Sequence, residues 1–343
     1  MKTLIIATPY NKRTGVGVPG SYFEWLSNIL SEIGIFSRLI KATTTSFIQS
    51  VLDDEKPDIV FSTAYEAKGI EGQKNTVIHQ LLDTLGIPYI GSSPETLELA
   101  LSKSKLKARL RDVGIPTPDY YNYRLGKFQD PDGEFINLPT QFPYILKPCR
   151  EGNSRGISEK SIVWDEVSML KQIKSMSKVY PEILIEHYLG KDKDLREFTI
   201  AMIGNGPGQF VLPAEIKLLA RHPYRIITLS DKLKHSTQAI PINDSSLERK
   251  LSLLARSVFE TIDARDYARC DVLLSRGELQ VIEVNGQPMI PDKWIDACAQ
   301  TIGMNRRDYC LAIFYSGISR YARIDGSNIV MPEKLINAFK SYL

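Results

Sequence analysis

The sequence predicts an α/β protein of more than one domain. Three observations carry that prediction. Apolar strand-like runs alternate with amphipathic helices through residues 3–90, the pattern of a parallel sheet covered by helices. The chain has 343 residues, too many for one small domain and suited to two or three. A long helical stretch and a polar loop then lead to ARCDVLLSRGELQVIEVNGQP, from Ala268 to Pro288, which reads as a β-hairpin with carboxylates inside apolar strands.

Composition sets the class. The hydrophobic content of 43% and charged content of 24% are those of a soluble globular protein. A net charge of +3 with no Lys/Arg block asks for no nucleic-acid partner. Cys149, Cys270, Cys298 and Cys310 are scattered without a CxxC pair, as reduced thiols in a cytoplasmic protein would be. The run LIIA is too short for a signal-peptide core, and no stretch is long and apolar enough to span a bilayer. There is no internal repeat or low-complexity segment.

Taken in order, Thr3 to Thr8 reads as a buried strand, Ser21 to Ile33 as an amphipathic helix, and Ile59 to Ala64 as a second strand. Asn75 to Leu85 is helical and leads to the short strand in IPYIGSS. The intervening loop contains Gly15, Gly17 and Gly20 in a formal GxGxxG. A dinucleotide fingerprint needs its first glycine at the strand end and an acid about 20 residues beyond the motif. Both are lacking, so a substrate-side loop is the better reading. Ser92 to Asp112 reads as one long helix opening on Ser93-Pro94 and closed by GIPTP. The strand FPYILK, Phe142 to Lys147, runs into the Gly/Ser loop Pro148 to Gly156. Small residues there let backbone N–H groups approach phosphate oxygens, and Lys147 adds a point charge. It is not a Walker A loop, because the lysine precedes the glycines. ILIEHY, Ile183 to Tyr188, is a strand ending in an acid, and Glu197-Phe198-Thr199 opens another. Leu247 to Ile262 is a helix expected to pack under the hairpin; Ile295 to Ile302, Arg307 to Ser316 and Pro332 to Ala338 are helical by pattern.

Side chains alternate along a strand, so Arg269 and Asp271 share one face of the hairpin, and Glu283 and Asn285 share one face of the return strand. If Gly277 is the middle of the loop, Asp271 sits across from Glu283. A two-residue loop would shift that pairing by one. In the first register, two carboxylates, a carboxamide and a guanidinium occupy one surface, an all-oxygen site suited to Mg²⁺. A carboxylate among Val281, Ile282 and Val284 also needs a partner to offset its burial.

These segments together resemble the D-alanine–D-alanine ligases of the ATP-grasp superfamily. The likeness rests on GSSPETLELALSKSKLKARLRDVGIPTP, KPCREGNSRG, ILIEHY and RCD…IEVN, in that order from about Ile87 to Asn285. The fold this implies is an ATP-grasp fold: an N-terminal parallel α/β domain (residues 1–94), a central subdomain (95–180) and a C-terminal subdomain with the metal hairpin (181–343), the last two clamping ATP between two sheets. By the resemblance, Lys103 and Lys147 contact phosphate oxygens and Glu186 accepts from the adenine amine. His187, Tyr188 and Leu189 give backbone contacts to the base, and Glu197 holds the ribose. Asp271, Glu283 and Asn285 bind Mg²⁺, with Mn²⁺ as an alternative ion, and Arg269, Ser154 and Lys232 are catalytic. The implied partners are a small carboxylate and an amine, joined through an acylphosphate. The resemblance leaves room for a homodimer.

The departures fall on the substrate side. The family's ammonium-binding acid falls near Thr14, its loop serine is Asn153, its ω-loop tyrosine falls near Leu233, and its Ser-Leu carboxylate site falls near Pro291-Asp292-Lys293-Trp294. The sequence also inserts GKDKDLR between Glu186 and Glu197. The expected function is therefore amide-bond formation on substrates other than two D-alanines. An authentic D-alanine–D-alanine ligase and an inactive nucleotide-binding protein are the alternatives.

Overall fold

The computed structural model of the chain describes residues 1–8, 18–69, 74–219, 224–234, 236–290 and 292–339. Gly15, Gly17, Thr14 and Pro291 lie outside them, as does the side chain of Leu233. In the parallel sheet, Lys2–Ala7 lies between Phe36–Lys41 and Ile59–Ser62, and Tyr89–Ile90 forms the far edge. Leu4, Ile5 and Ile6 are all buried because helices cover both faces.

Two antiparallel sheets follow. One has six strands, in the order Ile162–Val163, Tyr144–Pro148, Glu182–His187, Tyr120–Arg124, Lys127–Gln129 and Phe135–Ile136. The other has five: Thr237–Ile240, Phe210–Leu218, Arg196–Ile203, Tyr267–Ser275 and Glu278–Asn285. Helix Ser245–Thr261 buries Leu247, Leu251, Ala255 and Val258 against Val272, Val281 and Val284 on one face of the five-stranded sheet. That packing leaves the other face of the hairpin to polar residues.

The long helix expected over 92–112 is two helices. Pro94–Leu101 starts as read, with Ser93 accepting from the Thr96 N–H at 3.2 Å. The chain then becomes extended at Ser102 (φ −87°, ψ 100°) and restarts as Lys103–Asp112. The Lys103 N–H, which a continuous helix would spend internally, donates to the Cys149 carbonyl at 3.0 Å. The break docks the second helix on the end of strand Tyr144–Pro148. It also sets the stripe Lys103, Leu106, Lys107, Leu110 toward the interior, and all four are buried.

The hairpin turns on two residues, Arg276 and Gly277, both at positive φ (53° and 84°), as a tight hairpin turn demands. Ser275 pairs with Glu278, and the ladder runs regularly to Val272↔Val281. A β-bulge follows, and Asp271 pairs with Glu283 and Arg269 with Asn285. Ile282 is the extra residue. Its cause is the core: Val281 and Val284 are both buried in the same cluster, yet they are three apart, and a strict period of two can bury only one of them.

Just before the hairpin, Asp266 is fully buried at φ 63°. Its carboxylate accepts from the Gly91 N–H at 2.8 Å, Asn205 Nδ2 at 2.7 Å and Arg320 Nη2 at 2.7 Å. One carboxylate thus joins the edge of the parallel sheet, the five-stranded sheet and helix Arg306–Ala322.

Candidate active site

A cleft of about 830 Å³ lies between the two antiparallel sheets. Lys147, Glu186, His187, Tyr188, Leu189 and Ser154 come from the six-stranded side and its loops, and Glu197, Asp271 and Glu283 from the five-stranded side. Arg225, Ile226 and Lys232 cover a third side. A second cavity of about 610 Å³, between the parallel sheet and the hairpin's end, holds Lys103, Glu151, Asn285 and again Glu283. Of the sequence-predicted residues, Arg269 alone lines neither cavity. Asn285 does not share the larger cleft with Asp271; Glu283 lies in both spaces.

Lys147 and Glu186 stand on neighbouring strands, Lys147 opposite Leu184 and Ile145 opposite Glu186. Alternation puts the two side chains diagonally on one face, and they form an ion pair. Lys107 approaches the other carboxylate oxygen of Glu186 at 2.8 Å and packs against the Tyr120 ring. Burial would raise the Glu186 carboxyl, but Lys107 and Lys147 outweigh it and hold it below the ordinary range. Burial lowers Lys107, and Glu186 only partly restores it. Sequence reasoning misses Lys107, although its place on a buried stripe four residues after Lys103 is a usable signal. At the end of strand Glu182–His187, the His187 N–H donates to the Asp119 carbonyl at 2.8 Å, and the Tyr188 hydroxyl donates to the Arg225 carbonyl at 3.1 Å.

On the opposite wall, Thr199 is the cross-strand neighbour of Asp271, and its hydroxyl donates to Asp271 Oδ1 at 2.8 Å. Arg269 Nε lies 3.3 Å from the same oxygen. Glu283 Oε2 lies 3.7 Å from Lys103 Nζ, which itself donates to the Glu151 carbonyl at 2.5 Å. Burial opposes ionisation of Glu283, yet Lys103, Lys232, Arg269 and Lys147 together bring its pKa below the usual value. Glu197 goes the other way: burial and then the nearby Asp271 charge push it up to about 7. Ile282 and Glu283, consecutive in sequence, both line the cleft, a direct effect of the bulge.

Arg269 is buried and donates to Asp292 at 2.6 Å. Its guanidinium sits 5.0 Å from the centre of the Trp294 ring, and Lys232 Nζ sits 5.1 Å from it. Lys293 turns away and donates to the Thr237 carbonyl and hydroxyl at 3.2 and 3.0 Å. Of the rewritten pair, Trp294 therefore reaches the cleft and Lys293 does not. Asp192, inside the inserted GKDKDLR, accepts from the Ser275 hydroxyl and the Arg276 N–H, both at 2.8 Å, and so ties the insertion to the hairpin turn. In the Gly/Ser loop, Asn153 and Ser154 are both left-handed (φ 54° and 57°). Gly156 sits where a Cβ would meet Pro148 Cγ at 2.6 Å and the Tyr180 hydroxyl at 2.8 Å.

All four cysteines are buried and unpaired. Among the described residues no helix is long and apolar enough to cross a membrane.

Two antiparallel sheets facing each other over a cleft, with lysines on one wall and paired carboxylates on the other, define an ATP-grasp protein. The D-alanine–D-alanine ligase of Bacillus anthracis shares this fold with a TM-score of 0.70 at 20% identity, over 93% of this chain and 98% of that one. The structure of that enzyme complexed with ATP gives 0.67 at 19% identity. The family profile described as D-ala D-ala ligase C-terminus matches residues 110–305, more than half of the chain, and the chain belongs to that family. The D-alanine–D-alanine ligase of Polaromonas naphthalenivorans is 27% identical over 263 residues, 75% of this chain and 77% of the relative. The uncharacterized protein y4sG of Sinorhizobium fredii is 31% identical over 229 residues; the match takes in 65% of this chain and 64% of that protein's length. The chain is an ATP-dependent carboxylate–amine ligase.

Proposed function

We propose that this ligase activates a small carboxylate as an acylphosphate and joins it to an amine other than D-alanine. The observation that carries the substrate reading is Trp294, a large ring against the Arg269 guanidinium at the end of the cleft where Asp271 and Glu283 gather. A wall of that size beside the reacting groups suits a partner shaped differently from a pair of alanines. The names of relatives such as the Polaromonas enzyme favour the second reading, D-alanine itself.

In this proposal Glu186 and the backbone of His187, Tyr188 and Leu189 take the base, Glu197 the ribose, and Lys147 and Lys103 the phosphates. Lys232 and Ser154 lie toward the transferred phosphoryl group. Asp271 and Glu283, paired across the hairpin, and Asn285 beyond them are the candidate holders of Mg²⁺. Two carboxylates and a carboxamide are hard oxygen donors that leave positions for phosphate and water. Among the described residues no group of three His, Cys, Asp or Glu side chains gathers as a closed protein cage would require. When bound, Mg²⁺ would neutralise phosphate charge.

The chemistry asks for no protein nucleophile. A substrate carboxylate oxygen attacks the γ-phosphorus and ADP leaves. The amine then attacks the acyl carbon, loses a proton, and phosphate departs with the electron pair of the broken C–O bond. Arg269, held by Asp292 and Asp271 just behind the cleft lining, would lend its positive charge to the negative oxygen that develops at that carbon. The protein's work is positioning and charge compensation. The test is ADP and phosphate release with D-alanine alone and with a panel of amino acids and other amines. Saturable turnover on D-alanine with no better pair would replace this reading by the second.

A further inference from the structure

We propose that Lys107 is a positioning residue: a permanent counter-ion that keeps Glu186 compensated, so that Lys147 can leave Glu186 for the phosphates when nucleotide binds. This rests on the proposed roles of Glu186 at the base and Lys147 at the phosphates.

One carboxylate is held by two lysines that differ in their freedom. Lys107 approaches one oxygen of Glu186 at 2.8 Å, and Lys147 pairs with the other. The Lys107 side chain is 1% exposed and is not part of the cleft wall, whereas that of Lys147 is 11% exposed and lines the cleft. Lys107 is locked from behind by the Tyr120 ring, 5.8 Å from its ammonium, and Tyr120 is the strand neighbour of Glu186. Lys107 therefore has nowhere else to go.

A buried carboxylate stripped of its last cation is costly. With Lys147 alone, that cost would fall on every event that draws Lys147 to a phosphate oxygen. With Lys107 in place, Glu186 keeps a partner at all times and Lys147 changes partners cheaply. The second lysine on helix Lys103–Asp112 thus sets affinity for the phosphates without touching them, and leaves the base contact largely unaffected.

Calorimetric binding of ATP and of adenosine, which has no phosphate, separates this from a general packing role. K107M in the full chain is expected to weaken ATP by about tenfold or more and adenosine by less than about threefold. In an E186Q background, with no anion to compensate, adding K107M is expected to change ATP affinity by less than about threefold. Equal losses for ATP and adenosine, or a full loss persisting in E186Q, would overturn the proposal. Should K107M alone fail to fold by circular dichroism, comparing E186Q with K107M/E186Q decides: equal ATP affinities support the proposal, and a large further loss in the double variant overturns it. K147M reports on the underlying reading separately. ATP affinity unchanged in K147M would remove the phosphate role of Lys147 itself, whatever K107M does.

Discussion

Asp271 and Glu283 face each other across a hairpin whose turn, followed strictly, would have set Asp271 against Ile282. The bulge at Ile282 restores the carboxylate pair and seats an apolar side chain beside it in the cleft. The first prediction follows from that pair. Glu283→Gln keeps shape and removes charge, so turnover should drop by roughly 10²–10³-fold while far-UV circular dichroism stays the same. ADP release at saturating ATP measures it. Near-normal turnover would remove Glu283 from the reaction.

Trp294 gives the second. Trp294→Ser should open the wall beside Arg269 and broaden the range of amines accepted, with KM for the best native amine raised about tenfold or more. Steady-state kinetics across a panel of amines reads it. An unchanged profile would mean that the ring shapes nothing the substrate meets.

The third concerns acid. His79 is buried, with Nδ1 2.8 Å from the Ser92 carbonyl and its ring stacked 4.4 Å from Tyr89. A carbonyl can only accept, so Nδ1 carries the proton of a neutral ring. Burial lowers its pKa to about 4, whereas the unfolded chain protonates near 6.5. The neutral ring's contribution is thus intact above the unfolded pKa, falls as pH drops from about 6.5, and is gone near pH 4, about 3 kcal/mol in all. Thermal melts between pH 7 and pH 4 should show a loss that is shallower in His79→Gln. Identical slopes would assign the acid sensitivity elsewhere.

Gly156 supplies the fourth. Its φ of 71° and the contacts with Pro148 and Tyr180 leave no room for a methyl group. Gly156→Ala should displace the loop carrying Ser154, cost about 1–3 kcal/mol of stability and weaken ATP binding. Denaturant melts and calorimetry check the two effects. A variant as stable and as tight-binding as the parent would contradict the packing described.

Much of the fold and of the candidate site is legible in the sequence. The hairpin, the lysine-ended strand, the Gly/Ser loop and the two acid-bearing strands carry local signals. Other features depend on contacts that periodicity does not report. The helix over 92–112 breaks because the Cys149 carbonyl, nearly fifty residues on, captures one N–H. Strand Phe36–Lys41 lies at a sheet edge with mostly exposed side chains, so FSRLIK shows no clean alternation. Asp292 meets Arg269 only through the fold. The bulge lies between these cases. Val281 and Val284 announce it by their odd spacing, but only once both are known to be core.

Of the two sheets that face each other over the cleft, one is braced by a single buried carboxylate, that of Asp266. That carboxylate, itself shut off from solvent, bolts the five-stranded sheet to the parallel sheet and to helix Arg306–Ala322 through charged and backbone bonds. Those parts form the frame. The six-stranded sheet with Lys147 and Glu186 has no share in those bonds, so of the two cleft walls it is the one carrying Asp271 and Glu283 that Asp266 braces.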